Sequence, residues 1–251
     1  MLAIERRQQI MDILLRDQKV YVAELAKHFA VTEETIRRDL EKLEQQNLLR
    51  RSYGGAVPTG QTREDLSFDN RTIRNKEEKS EIALKALPLI NDGDTIMTDS
   101  STTCLTLMQH LQNKKNLTII TNSVHILSDF DKIPFQLIFS GGVLRPHAFA
   151  LVGASACATL AKYYVDLAIL SCKSIDMANG IMESNEDESL VKYTMLQQAR
   201  KTILLADHTK WDKTSFIKTC DITDVACIVT NRKPRDPWLE YLEERNIDLL
   251  Y

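Results

Sequence analysis

The sequence contains no C-x-x-C pair, no two histidines four residues apart, and no long apolar run. Its longest uninterrupted apolar pieces are short, such as Val225-Ala226-Cys227-Ile228-Val229, against the roughly 20 residues a bilayer-crossing helix needs. The five cysteines, Cys104, Cys157, Cys172, Cys220 and Cys227, are odd in number and widely spaced, which argues against a disulfide framework and a thiolate zinc site. The scattered histidines give no metal-binding spacing. No metal and no cofactor is therefore expected. The first residues, Met1-Leu2-Ala3-Ile4-Glu5-Arg6-Arg7, lack the apolar core of a signal peptide, so a cytoplasmic protein with no membrane partner is the expectation.

What is present is an ordinary globular composition. The chain has 251 residues, 43% hydrophobic and 27% charged, which excludes wholesale disorder. At about 100–200 residues per domain, this length suggests two domains. The net charge is -3; residues 1–58 carry ten basic and nine acidic side chains. So weak an asymmetry does not reveal a nucleic-acid binder. The local arrangement of charge has to do that.

Residues 5–15 read as a helix, with Ile10, Ile13 and Leu14 on one stripe. A second short helix follows over 23–29, with Leu25, Ala26 and Phe29 inward. A third runs from about 33 to 46, buried through Ile36, Leu40 and Leu43. Thr32 is placed to cap it, its hydroxyl accepting an orphan amide of the first turn. Thr35, Arg37, Arg38 and Lys42 fall on its other faces. Two short helices, a tight turn and a third helix with basic residues near its start form the helix-turn-helix plan, whose second helix enters the major groove. Arg can present two donors to guanine, while Lys or Thr can hold phosphate or a base edge. Residues 48–57 alternate as a small basic hairpin around Gly54-Gly55, a wing carrying Arg50, Arg51 and Tyr53. Taken alone, Arg37 and Arg38 are better read as solvating a helix face and pairing with Glu33, Glu34 and Glu41.

The string Val31-Thr32-Glu33-Glu34-Thr35-Ile36-Arg37-Arg38-Asp39-Leu40-Glu41-Lys42-Leu43, followed by Leu49-Arg50-Arg51-Ser52-Tyr53-Gly54-Gly55-Ala56, resembles the DNA-binding signature of the DeoR family of bacterial sugar-responsive transcriptional regulators. The resemblance implies that Thr35, Arg37 and Arg38 face DNA, with Arg50, Arg51 and Tyr53 on the wing. Tyr21 departs from it, standing where small capping residues are common.

Residues 58–75 are rich in Thr, Gly, Asp, Asn and Arg and read as a linker. From 76 to 251 strands and helices alternate. Strands are expected at 95–98, 117–121, 135–139, 165–171, 202–206 and 225–230. Helices are expected at 76–90, 102–111, from 123, at 154–163, 187–199 and 237–244. This pattern means a mostly parallel sheet covered on both faces, with a ligand crevice at the carboxyl ends of its strands. The strand ends are polar: Asp99-Ser100-Ser101-Thr102-Thr103, Thr121-Asn122-Ser123, Ser140-Gly141-Gly142 and Asp207-His208-Thr209-Lys210. Hydroxyls and amides at a helix N-terminus seat anions, glycines let a ligand approach the backbone, and Asp207 beside Lys210 offers an acceptor with a cation. Together they suit a small polyhydroxylated phosphate. Singly, the Ser/Thr-rich ends are better explained by capping, and Asp207 with Lys210 also fits a surface ion pair; their convergence at one edge of the sheet is what favours a site.

The resemblance extends along this half through Asp99 to Thr103, Thr121-Asn122, Gly141-Gly142, Asp166, Ser171 to Asp176, Glu188 with Lys192, and Asp207 with Lys210. It implies an effector-sensing domain similar in fold to ribose-5-phosphate isomerase and coenzyme A transferases, with a phosphorylated sugar or polyol as effector. It further implies Lys76 and Lys79 near the ligand, with Asp207 and Lys210 opposite. Ser101 and Ser174 depart from it, standing where glycine is frequent. The expected protein is thus a DNA-binding repressor of a carbohydrate or polyol catabolic operon, acting as a homo-oligomer, dimer or tetramer, on repeated half-sites. The alternative is a sugar-phosphate isomerase with an accessory DNA-binding head. That reading needs a carboxylate poised as a base beside a substrate carbon; Asp99, Glu188 and Asp207 are the candidates, and no paired-carboxylate motif supports them.

Overall fold

The computed structural model describes residues 2–17, 19–45, 48–57, 66–129 and 134–251. They form two compact units, Met1–Leu66 and Ser67–Tyr251. No helix among the described residues is long and apolar enough to cross a membrane.

The first unit is a winged helix-turn-helix. It runs α1 (Ala3–Asp17), β1 (Val20–Tyr21), α2 (Val22–Phe29), α3 (Glu33–Gln45), β2 (Arg50–Ser52) and β3 (Gly55–Val57). Ile10, Leu14, Leu25, Ile36, Leu40 and Leu43 close its core, as their three- and four-residue spacing dictates. Thr32 caps α3 as expected: its Oγ1 accepts the Thr35 amide at 3.3 Å. Tyr21 supplies no side-chain cap for α2; instead the wing turn does, through Val22 N–H donating to the Gly54 carbonyl at 2.9 Å. The strands order as β1-β3-β2. Gly55 must be glycine there, because a Cβ would sit 2.0 Å from the Val20 carbonyl oxygen. Gln46, the expected end of α3, lies outside the described residues.

The second unit opens with α4 (Phe68–Ile73) and α5 (Lys76–Ala86). This corrects the expected linker at 58–75. Residues 58–65 lie outside the described residues, but Ser67 caps a helix through the Asn70 amide, and Phe68 is buried and stacked on His125. One aromatic anchors this helix, so no apolar period announced it.

The chain continues β4 (Thr95–Thr98), α6 (Thr102–Gln109), β5 (Thr118–Thr121), α7 (Ile126–Asp129), β6 (Gln136–Phe139), β7 (Val143–Arg145), β8 (Ala150–Val152), α8 (Ala154–Leu160), β9 (Val165–Ser171), β10 (Ser174–Asp176), β11 (Gly180–Glu183), α9 (Glu186–Gln197), β12 (Ala199–Leu205), β13 (Ile217–Cys220), β14 (Cys227–Val229), α10 (Asp236–Glu243) and β15 (Asp248–Leu250). Seven strands form one sheet in the order β15-β14-β12-β9-β4-β5-β6, parallel at every pairing. Alternate residues feed the two faces: Met97, Ala168, Leu170 and Leu204 enter one core, and Ile96, Leu167, Ile169 and Ile203 the other. Both faces are apolar, as a sheet covered on both sides requires.

Of the expected helix from Ser123, the described residues show α7, Ile126–Asp129; residues 130–133 lie outside them. Five strands at short, irregular spacing escaped the sequence reading: the β7–β8 hairpin, and β10 with β11 and β13 in a separate antiparallel sheet. So did β15, the short edge strand of the main sheet.

The order places a topological switch between β4 and β9. From β4 the chain winds outward through β5 to β6, then returns to β9 and winds the other way. Open parallel sheets hold their ligand crevice at such a point, outside the carboxyl ends of the strands.

Candidate functional site

In the first unit the recognition-helix residues sit on its solvent face. Arg37 Nη2 lies 2.5 Å from Glu33 Oε2, and Arg38 Nε 3.3 Å from Glu34 Oε1. These are i,i+4 pairs between exposed side chains, weak in water and exchangeable for a stronger anion. Thr32 and Thr35 share a hydroxyl contact at 2.9 Å; Lys42 is exposed in the last turn. Asp39 is turned the other way. It is buried, and its Oδ2 accepts from Arg6 Nε at 2.6 Å, pinning α3 to α1. Arg50 and Tyr53 are exposed on the wing, Tyr53 completely so. Arg51 is engaged: Glu44 takes both its backbone N–H, at 2.8 Å, and its Nε, at 2.6 Å.

In the second unit the switch point is built around Asp99, the residue after β4. Its Oδ2 accepts the Ser171 amide at the end of β9, and its Oδ1 the Ser101 amide, each at 2.9 Å. Lys192 of α9 stands 3.1 Å from Oδ2, contacts Glu183, and donates to the Ser171 carbonyl at 2.8 Å. Burial opposes the charge on Asp99, but Lys192 and the hydrogen bonds from Ser101 and Ser171 outweigh it and hold the carboxyl below its ordinary range. Burial likewise opposes the charge on Lys192; Asp99, Glu183 and Glu188 reverse that and raise its pKa. Asp99 and Lys192, expected as ligand contacts, thus satisfy one another at the switch point.

Other strand-end residues divide in the same way. Thr121 is structural: its hydroxyl donates to the Thr98 carbonyl at 2.8 Å and accepts the Ser123 amide at 3.1 Å. Ser101 caps α6 through the Cys104 amide; Ser100, Thr102 and Thr103 are buried beside it. Gly142, at φ +110°, admits the Val152 carbonyl, which would lie 2.6 Å from a Cβ. The close approach its lack of a side chain permits is therefore to β8. Gly141, also at positive φ, faces open space. Asn122 anchors its amide on the Leu151 carbonyl at 3.1 Å, yet its Oδ1 is buried with no partner.

That orphan oxygen belongs to a set. Among the described residues, Ser123 Oγ, Ser174 Oγ, Trp211 Nε1 and Arg71 Nε and Nη2 are also buried without hydrogen-bond partners. Leaving such groups unmet costs about 1–3 kcal/mol each. Most lie just past the ends of β5, β9 and β12, and Arg71 comes from α4.

Cations gather there too. Lys79 of α5 is buried, its Nζ donating to the carbonyls of Arg71 and, at 2.5 Å, Arg74. Burial lowers its pKa first; Lys210, Arg71 and Arg74 add like-charge repulsion against the opposing pull of Asp207, and it falls to about 7. Lys213 is pushed down by burial and by Arg74 and Lys210. Asp207 keeps its charge despite burial through Lys210, Thr209 and Asn75; Asn75 Nδ2 and the Thr209 amide reach Oδ1 at 3.2 and 2.9 Å. Glu188 is raised by burial and by Glu183, while Lys192, Arg71 and Arg145 oppose the rise. Arg145 reaches it from the β7–β8 hairpin.

The structure therefore brings Lys79, Asp207 and Lys210 together, with Glu188 beside Arg71, and leaves Lys76 exposed at the first position of α5. The sequence reading missed Arg71, Arg74, Arg145, Lys213 and Trp211. The first two lay in the presumed linker, where their basic character was the one available signal.

The family profile described as the DeoR C terminal sensor domain matches residues 74–232, and that described as the DeoR-like helix-turn-helix domain matches residues 6–62. An uncharacterized HTH-type transcriptional regulator of Bacillus subtilis, YulB, is 37% identical over 98% of this chain and 96% of its own length. The HTH-type transcriptional repressor GlcR of the same organism is 34% identical, over 98% and 95%. The glycerol-3-phosphate regulon repressor of Escherichia coli is 29% identical, over 98% and 97%. Among solved structures, ribose 5-phosphate isomerase A of Methanocaldococcus jannaschii matches at a TM-score of 0.41 with 16% identity, over 55% of each chain.

Proposed function

Since the chain belongs to the DeoR family of transcriptional regulators, we propose that it represses a carbohydrate or polyol catabolic operon and releases its operator when a phosphorylated sugar or polyol binds the second unit. It is a DNA-binding regulator, not an enzyme. In this reading α3 enters the major groove with Thr35, Arg37, Arg38 and Lys42, and Thr32 caps it beside a phosphate. On the wing, Arg50 and Tyr53 reach the flanking backbone. Arg37 and Arg38 each exchange an exposed glutamate for a phosphate or a guanine edge.

The observation that carries the effector assignment is the buried, unpartnered guanidinium edge of Arg71 beside Lys79. Five cationic side chains, Arg71, Arg74, Lys79, Lys210 and Lys213, act on one another there. A phosphate dianion supplies the acceptors and the countercharge they lack. Asp207, Asn122, Ser123 and Ser174 are of the type that holds sugar hydroxyls. The effector must favour one arrangement of paired DNA-binding heads over another, a coupling of about 1–3 kcal/mol.

The test is a thermal-shift screen with phosphorylated sugars and polyols beside their unphosphorylated parents. A ligand binding the native state raises apparent stability by mass action. Selective stabilisation by a phosphorylated compound, which then dissociates the protein from its DNA, is expected. A shift by the parent sugar equal to that by its phosphate would refute the anion site.

A further inference from the structure

The contact between Glu44 and Arg51 is out of place in a surface meant for a polyanion. Glu44 lies in the last turn of α3, the helix read as entering the groove, and Arg51 in β2 of the wing. Both are partly exposed, with side-chain exposures of 35% and 42%. One carboxylate oxygen accepts the Arg51 backbone N–H at 2.8 Å and the other its Nε at 2.6 Å. Hydrogen bonds from the Arg51 backbone and side chain lower the pKa of Glu44, so it is a full negative charge at neutral pH.

The backbone bond has a topological reason. β2 is an edge strand, paired with β3 alone, in the register Arg50↔Val57, Arg51↔Ala56, Ser52↔Gly55. An edge strand leaves alternate N–H groups without a ladder partner, and Glu44 takes that of Arg51. The side-chain bond then fixes the direction of the guanidinium. Between them, the two bonds tie the wing to the C-terminal turn of α3 by both main chain and side chain. Charge-assisted bonds of this two-point kind carry geometric specificity as well as energy.

We propose that Glu44 is a positioning residue for DNA recognition and that Arg51 is its partner rather than a contact to the duplex: the pair sets the wing against the recognition helix so that Arg50 and Tyr53 meet the DNA. The proposal rests on the reading of the first unit as a DNA-binding head. It assigns Glu44, which the charge pattern alone disfavours, a favourable role. On charge alone, removing a carboxylate beside a polyanion strengthens binding and frees an arginine for phosphate. If the carboxylate holds the wing, removing it weakens binding. The sign of the Glu44→Ala effect separates the two.

The experiment uses the full chain, a duplex enriched by the wild-type protein from a random-sequence library, and a scrambled duplex of the same composition. Binding is followed by fluorescence anisotropy across a salt series. Glu44→Ala and Arg51→Ala should each weaken the enriched duplex by about three- to tenfold. Both should keep the wild-type salt slope and the wild-type affinity for the scrambled duplex. The double variant should be no weaker than Glu44→Ala, because Glu44→Ala already removes both bonds and Arg51→Ala removes one of the same two. Glu44→Gln, whose amide oxygen can still accept the backbone N–H, should recover part of the loss. Arg50→Ala, by contrast, should lower the salt slope by about one phosphate contact. Unchanged melting temperatures would confirm that the variants fold. Glu44→Ala binding as tightly as wild type or tighter, or Arg51→Ala lowering the salt slope by about one, overturns the positioning role alone. A wild-type protein that enriches no duplex overturns the DNA-binding reading, and this proposal with it.

Discussion

Lys192 Nζ stands 3.1 Å from Asp99 Oδ2, with both side chains sealed from solvent. The pair joins α9 to the end of β4 across the switch point, and Glu183 closes it from the end of β11. Two carboxylates and one ammonium are thus buried together. Their attraction repays desolvation because each is also hydrogen-bonded to backbone, or, for Glu183, to the ammonium itself.

Removing the ammonium should therefore be costly. Lys192→Met leaves Asp99 and Glu183 as uncompensated buried charges, a change worth about 3–5 kcal/mol in comparable cases. Lys210→Ala, at a partly exposed position, should stay within about 1 kcal/mol of wild type yet lose its response to the effector. Urea unfolding of the two variants checks both. A Lys192→Met protein as stable as wild type would show that the network is not what holds the sheet edge together.

Arg71 behaves oppositely. Its Nε and Nη2 have no hydrogen bond to lose in the free protein, and a Met side chain can still pack on the Phe68 ring that the guanidinium covers, so Arg71→Met should leave the melting temperature within a few degrees of wild type. Ligand-induced stabilisation should fall by about ten- to a hundredfold in apparent affinity, the range for a charged hydrogen bond of about 1.5–3 kcal/mol. An undiminished thermal shift with the best phosphorylated ligand would remove Arg71 from the site.

Lys79 gives the site a pH dependence. Its pKa of about 7 in the free protein lies below the ordinary lysine value of 10.5. Between those values the unfolded chain carries a proton that the folded one lacks. This group therefore makes stability rise with pH across roughly pH 7 to 10, and its cost is fully present below 7. A bound phosphate raises the pKa again, so effector affinity should be full near pH 6.5 to 7 and decline as pH rises above that, with proton uptake on binding. Titration calorimetry in two buffers of different ionisation enthalpy measures the uptake. None at pH 8 would mean that Lys79 does not face the ligand's charge.

On the DNA side, Arg38→Ala should weaken binding to the enriched duplex by roughly 1–3 kcal/mol if it meets a guanine. Loss of a phosphate contact would instead weaken all sequences alike and lower the salt slope by about one. Stability should stay near wild type, since the exposed pair with Glu34 contributes little. Unchanged affinity for every duplex would remove Arg38 from the interface.

Much of this protein was legible from local pattern. The stripe Ile36, Leu40, Leu43 and the cap at Thr32 define α3 without tertiary help, because helix period and capping are properties of neighbouring residues. The apolar runs of β4, β5, β9 and β12 announced a sheet buried on both faces, and their polar ends pointed to the edge where the buried unpartnered polar atoms and the cations gather. The β7–β8 hairpin, β10, β11, β13 and β15 were not legible. They are three or four residues long and owe their state to partners distant in sequence.

The amino-acid order by itself fixed the two-unit plan, the faces of the helices and the chemical character of the strand ends, since each depends on residues a few positions apart. Folding alone decided which charges at the sheet edge are consumed and which stay available. Asp99 met Lys192 across 93 residues and each satisfied the other. Arg71, from a stretch with hardly an apolar residue, came to rest with Nε and Nη2 buried and without an acceptor. Pairing of that kind is set by distance in space, and no short-range pattern in a chain encodes it.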